Sequence, residues 1–384
     1  MEVESISVKK NSWIIVAVST ALWFVSLLQS TGVGQVYKVY DRAMFVVLFC
    51  YAYQIFAKKQ FNRIKKSTVI VIFILIVQNL YTHFKFENDF VGYLEIYAIP
   101  ILYSLFTLDE KQMRRVGLIF GIGGGAVLLA ANFTDYFSGW DGNSVSLICF
   151  FSYVVFIASM FDIKKKVHQW RIVIYSAFYF ILLWTLNSRS CILFSAFLLL
   201  CELGIIPVRK TFNKKRLLLW LLGPLIIAIT VAIISYSEVL VSLNEWSNEY
   251  FNKTLFSGRD MFWVNGFEMW KKYPLLGTGS LAPRWHNSAI SCLVGTGCVG
   301  YFIWIYVILG MLKKACSFIE DNIIFGVVVA FLTVWLQQSV ELGIISTTGN
   351  TVIFVLLGLI LARTNTLEKE EIGTEYTDGE LEDA

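Results

Sequence analysis

An all-α fold threaded repeatedly through a membrane is what this sequence predicts, on three observations. Of its 384 residues, 57% are hydrophobic and 16% charged, with a mean hydropathy of +0.64, whereas a soluble domain carries roughly 25% charged residues. Apolar runs recur from Trp13 to Ala362, each close to the ~20 residues that cross a bilayer as a helix. Only one connection between those runs is long, the polar and aromatic-rich stretch over residues 236–287. The expected architecture is a polytopic membrane domain over 1–363 with about 12 transmembrane helices and one long extracytoplasmic loop.

In chain order, the candidate spans lie at about 12–30, 40–57, 67–84, 90–107, 116–132, 145–162, 172–187, 190–207, 217–235, 287–312, 323–342 and 351–362. Lys9 and Lys10 precede the first run, which is too long for a signal-peptide core and lacks a small-x-small cleavage site, so it reads as an uncleaved membrane helix. Basic clusters follow alternate spans: Lys58, Lys59, Arg63, Lys65 and Lys66; Lys111, Arg114 and Arg115; Lys164–Lys166 and Arg171; Arg209, Lys210 and Lys214–Arg216; Lys313 and Lys314. The positive-inside rule then places both termini in the cytoplasm and the 236–287 loop outside. The 364–384 segment is acidic and poor in apolar residues, which predicts a disordered cytoplasmic tail.

Seven cysteines lie in or beside apolar runs without a Cys-x-x-Cys pair, so they read as packing residues, and neither a metal site nor a cofactor is expected. Glu95, Arg189, Glu202 and Glu341 are ionisable residues at or within spans, where charge is costly and faces a polar interior. Arg189 stands out. The segment Leu186-Asn187-Ser188-Arg189-Ser190 leaves almost no linker between two runs, which makes a tight hairpin that pins the guanidinium at the outer headgroup level. There it either snorkels to lipid or binds a phosphate or pyrophosphate bidentately.

Within the loop, Ser257 with Asp260 reads as an imperfect capping box opening a helix that Tyr273-Pro274 stops. Trp263, Phe267 and Trp270 share one face of it, as on an amphipathic helix at the interface. Arg259 in its first turn opposes the helix dipole, and a bound anion explains it best. Leu276-Gly277-Thr278-Gly279 is a turn. Asn287 or Ser288 is the expected N-cap of the next span, which sets His286 beside a positive helix end and favours a neutral, proton-accepting imidazole. In the separate connection Ser138–Ser144, Asp141 and Asn143 are candidates for binding sugar hydroxyls, with a plain turn as the alternative.

Taken in order, Asn187-Ser188-Arg189-Ser190, Ser257-Gly258-Arg259, Trp263, Tyr273-Pro274-Leu275-Leu276-Gly277-Thr278-Gly279, His286-Asn287-Ser288 and Gly295-Thr296-Gly297-Cys298-Val299-Gly300 resemble the O-antigen ligase and O-antigen (capsular) polysaccharide polymerase superfamily, the Wzy/WaaL-like membrane glycosyltransferases. The resemblance implies a GT-C-like fold in a bacterial plasma (inner) membrane. It also implies metal-independent, inverting transfer from a polyprenyl-pyrophosphate-linked oligosaccharide donor to an acceptor sugar hydroxyl, next to membrane lipid and other polysaccharide-assembly proteins. By position, His286 would act on the acceptor hydroxyl and Arg189 and Arg259 would hold the pyrophosphate; Ser188, Asn287, Trp263, Asp141 and Asn143 are the further substrate-binding candidates. A polymerase of capsule, exopolysaccharide or O-antigen is the expected activity. A ligase to lipid A-core or protein, or a flippase of lipid-linked oligosaccharide, is the alternative. Nothing in the sequence points to nucleic acid.

Overall fold

A computed structural model describes residues 2–30, 34–57, 66–86, 94–134, 142–161, 166–186, 188–211, 213–235, 237–279, 285–341 and 351–382. Its described residues form helices and turns with no strand, so the all-α expectation holds. The first seven helices are α1 (Glu2–Ser30), α2 (Gly34–Ala57), α3 (Lys66–Phe86), α4 (Leu94–Ser104), α5 (Glu110–Phe133), α6 (Gly142–Ser159) and α7 (Lys166–Thr185). The remainder are α8 (Arg189–Glu202), α9 (Val208–Thr211), α10 (Lys214–Ile234), α11 (Glu238–Phe251), α12 (Arg259–Lys272), α13 (Ser288–Ala315), α14 (Asn322–Gln337) and α15 (Thr351–Glu382).

Among the described residues, three helices are long and apolar enough to cross a membrane: Glu110–Phe133, Lys215–Ile234 and Ser288–Phe318. They coincide with the expected spans at 116–132, 217–235 and 287–312. Shorter apolar helices occupy Trp13–Leu28, Arg42–Tyr53, Ser144–Ser159 and Asn322–Gln337. Many large apolar side chains on the outside of the bundle are bare, among them Phe49, Phe73, Ile122, Trp184 and Ile233, as on a surface that lipid covers.

α14 is the axis of the bundle. It is apolar all round and buried from Ile323 to Trp335, as an interior helix must be. It packs against α6, α8, α10 and α15. At one end Asp321 caps it and pairs with Arg363 at 2.6 Å. At the other end the helix stops at Gln337, earlier than the expected 342, and the chain turns through Ser339 and Val340 to Glu341. α5 and α6 pack closely because Gly117, Gly121 and Gly124 present bare backbone to Ser159, Phe156 and Ser152, the small-residue packing that helices use in membranes.

α15 continues past the expected boundary at 363, its helical residues extending to Glu382. Neighbours anchor its polar turns: Thr364 is fully buried, Asn365 donates to the Ser104 carbonyl at 2.8 Å, and Glu368 pairs with Lys314 at 2.8 Å. These partners come from distant parts of the chain, so local composition does not reveal them.

α13 is broken at Gly297 (φ 65°, ψ −174°). Into the break lies the turn Pro274–Gly279. Thr278 and Gly279 donate to the carbonyls of Val294 and Gly295 at 2.8 Å, while Cys298 and Val299 donate to those of Pro274 and Leu275 at 2.8 and 3.2 Å. A Cβ on Gly297 would lie 2.2 Å from the Leu275 backbone, and one on Gly277 would lie 2.5 Å from Gly295. Gln78 of α3 closes the joint, donating its amide to the carbonyls of Leu276 (3.2 Å) and Thr296. The glycines of this turn therefore hold a main-chain ladder that replaces the lost helical bonds.

Candidate functional site

Four helix ends meet where α14 stops. They are the N-termini of α8, α12 and α13 and the turn that follows α14. α14 packs on α8 and α10, and α10 in turn packs on α12 and α13. Arg189, Arg259, His286 and Glu341 stand at these ends.

Arg189 is the first residue of α8, directly after the short α7–α8 hairpin, as expected from the missing linker; Asn187 lies outside the described residues. Its Nη2 donates to Ser257 Oγ at 2.7 Å and to the Thr254 carbonyl at 3.3 Å. The other guanidinium N–H groups meet no acceptor among the described residues, so part of this cation still faces outward. Ser190, its neighbour, donates to Glu341 Oε1 at 3.4 Å.

Arg259 opens α12. The helix begins one residue later than the expected capping box, with Gly258 at the N-cap and no side-chain cap bond. Ser257 and Gly258 both take left-handed backbone (φ 54° and 77°), a conformation that costs a serine energy and needs surrounding support. Ser257 serves as an acceptor for Arg189 instead of a cap. The anion that accounts for Arg259 is internal. Its Nη2 lies 2.7 Å from Glu341 Oε1, and its Nη1 donates to the Val340 carbonyl.

His286 sits between two anchored residues. Trp285 is buried in a cluster with Ala228, Val231, Trp263, Ile290 and Val294. Asn287 is the N-cap of α13: its Oδ1 accepts from Ile290 N at 3.0 Å and its Nδ2 donates to the carbonyls of Ser339 (2.8 Å) and Pro224 (3.1 Å). Held from both sides, His286 adopts φ 48° and turns its ring toward Glu341. Nδ1 stands 3.9 Å from Oε2, an ion-pair distance too long for a hydrogen bond, and Phe262 stacks on the ring at 5.9 Å.

Glu341 therefore joins three elements, with only 7% of its side chain exposed. Burial pushes its carboxyl up, but the adjacent His286 ring and Arg259 guanidinium outweigh burial and hold it below the ordinary value of 4.5. The sequence marks Glu341 as an ionisable residue at a span edge without linking it to Arg259, which is 82 positions away. No local motif carries that link.

Among the remaining candidates, Ser188 is buried at the N-cap of α8 with no side-chain cap bond. Asn287 and Trp263 both face the interior of the bundle. Both side-chain polar atoms of Asn287 are engaged, Oδ1 in capping α13 and Nδ2 in tying it to α10 and the α14 turn, and the residue is fully buried. Trp263 is also fully buried, packed against Phe256, so α12 directs its aromatic face inward, not to the interface. Asp141 and the side chain of Asn143 lie outside the described residues.

No protein-family model matches this chain, and no curated protein shows significant similarity to it.

Proposed function

We propose that this protein is a membrane-embedded polysaccharide polymerase. It transfers a polyprenyl-pyrophosphate-linked glycan to an acceptor sugar hydroxyl at the outer face of a bacterial plasma membrane, using neither metal nor nucleotide sugar. The observation that carries this reading is the meeting of Arg189, Arg259, His286 and Glu341 at one end of the bundle, from segments far apart in the chain.

The chemistry divides among these groups. An acceptor hydroxyl attacks the anomeric carbon, a new glycosidic C–O bond forms on the opposite face, and the bond from that carbon to the pyrophosphate oxygen breaks. The lipid pyrophosphate leaves with the electron pair. Arg189, with guanidinium N–H groups still unengaged, faces the charge that grows on the leaving group, where a fixed cation lowers the barrier most. His286 takes the hydroxyl proton, and the Glu341 carboxylate stabilises the imidazolium so formed. Arg259 keeps Glu341 ionised and in place, so its role is to position this carboxylate as much as to meet phosphate.

The test uses purified full-length protein in lipid vesicles with a lipid-linked repeat unit, with products read by mass spectrometry. The expected products are oligomers of the repeat, lost in Arg189→Ala and His286→Ala while both variants still insert. Normal product length in both variants overturns the assignment of these residues. Transfer only to lipid A-core or protein marks a ligase, and transport without a new glycosidic bond marks a flippase.

A further inference from the structure

α11 carries a second surface. At about 100° per residue, three stripes of its side chains stand out, with the exposed Val241 and Asn248 on the remaining flank. Leu240 and Ser247 are buried (2% and 1% exposed) and, with Asn244, face the protein: Asn244 Oδ1 accepts from Leu255 N at 2.9 Å, and Ser247 Oγ donates to the Lys253 carbonyl at 2.7 Å. Glu238, Glu245 and Glu249 line up on roughly the opposite side of the helix. Between these two lies a solvent-accessible apolar stripe of Val239, Leu243, Trp246 and Tyr250, from 39% to 63% exposed, with Trp246 and Tyr250 in ring contact at 5.4 Å.

We infer that this stripe is an interfacial lipid-binding surface, with α11 lying along the leaflet at the loop end of the bundle. Two observations select lipid as the occupant. α11 starts at Glu238, directly after α10, a helix long and apolar enough to cross a membrane, which keeps Ile226, Ile229 and Ile233 bare up to its end. Val239 follows Ile233 closely in the chain, so the stripe on α11 begins where the exposed apolar face of α10 ends. The division of the helix also matches an interface: a protein side, an apolar flank ending in Trp and Tyr, which favour the headgroup level, and an acidic top in water.

The surface is connected to the candidate site. Lys253 and Leu255, which Ser247 and Asn244 hold, flank Thr254, whose carbonyl accepts from Arg189. Lipid under α11 therefore steadies the turn against which Arg189 rests. This inference requires that α10 cross a bilayer; it does not require glycosyl transfer.

The experiment places an environment-sensitive fluorophore on the full-length protein, in a Cys50→Ser background that removes the exposed native thiol. One label sits at Leu243→Cys on the stripe and one at Asn248→Cys on an exposed polar position. Both proteins are reconstituted in phosphatidylcholine vesicles, and their melting is compared with the parent to establish that the fold is kept. The expected result is that nitroxide on the lipid acyl chains quenches the label at 243 and iodide in the buffer does not, with the reverse at 248. Equal quenching by iodide at both positions overturns the inference by placing the stripe in water. Protection at 243 from both quenchers also overturns it, because a protein surface, another copy or a partner, then covers the stripe.

Discussion

α11 and α12 follow one another in the loop, each has 14 residues, and each carries an aromatic stripe on one side. They dispose of that stripe in opposite ways. α12 turns Trp263 into a buried cluster between α10 and α13, with Gly266 tight against Ile290. α11 leaves Trp246 and Tyr250 50% and 63% exposed. Periodicity tells which residues share a face, but the covering of that face depends on what the rest of the chain brings to it. Here α12 is part of the frame of the site and α11 is a surface feature beside it.

The sharpest way to break this contrast is to remove the two tryptophans in turn. Trp263→Ala should destabilise the detergent-solubilised protein by about 3–5 kcal/mol, the usual result of emptying an aromatic from a packed core, as read by denaturant or thermal unfolding. Trp246→Ala should change the same reading by less than about 0.5 kcal/mol. Comparable losses would mean that α11 is packed after all. Next in size, Arg259→Met strands a largely buried carboxylate and should cost about 2–4 kcal/mol, most of it recovered in the double variant with Glu341→Gln. Gly266→Ala should cost about 1–3 kcal/mol through overpacking, since a Cβ there falls 2.4 Å from the Ile290 side chain.

Acid gives a smaller and more specific effect. The folded Glu341 carboxyl lies below its ordinary value of 4.5, so the folded state binds its proton less readily than the unfolded chain does. Its contribution to stability is complete above that value and is lost as pH falls through the lowered folded value. Wild-type protein should therefore lose melting temperature below about pH 4.5, and Glu341→Gln should lose less over the same range. Parallel curves for the two proteins would remove Glu341 from the set of ionised groups that hold α8, α12 and α13 together.

Local signals carried much of the fold into the sequence. The absent linker at 186–190 fixed the α7–α8 hairpin, Tyr273-Pro274 stopped α12, and Asn287 was readable as an N-cap because its side chain meets its own helix. What escaped depends on long-range partners. Arg259 signals an anion by opposing its helix dipole, but the sequence does not state that the anion is Glu341. Asn287 and Trp263 have residue types suited to binding substrate, and only packing reveals that both are fully buried. The polar turns just after 363 find an acceptor on α4 and a counter-charge on α13, which their own composition does not announce.

The joint between Pro274–Gly279 and the broken α13 has a consequence for how this protein can vary. Its register is set by amide-to-carbonyl bonds in both directions, and those groups are the same for every residue type except proline. The side chains in the joint, such as the exposed Leu275, can change without breaking these bonds, while Gly277 and Gly297 have no room for any side chain. Sequence change in this turn is therefore channelled to its exposed side chains and away from the two glycines on which the main-chain ladder closes.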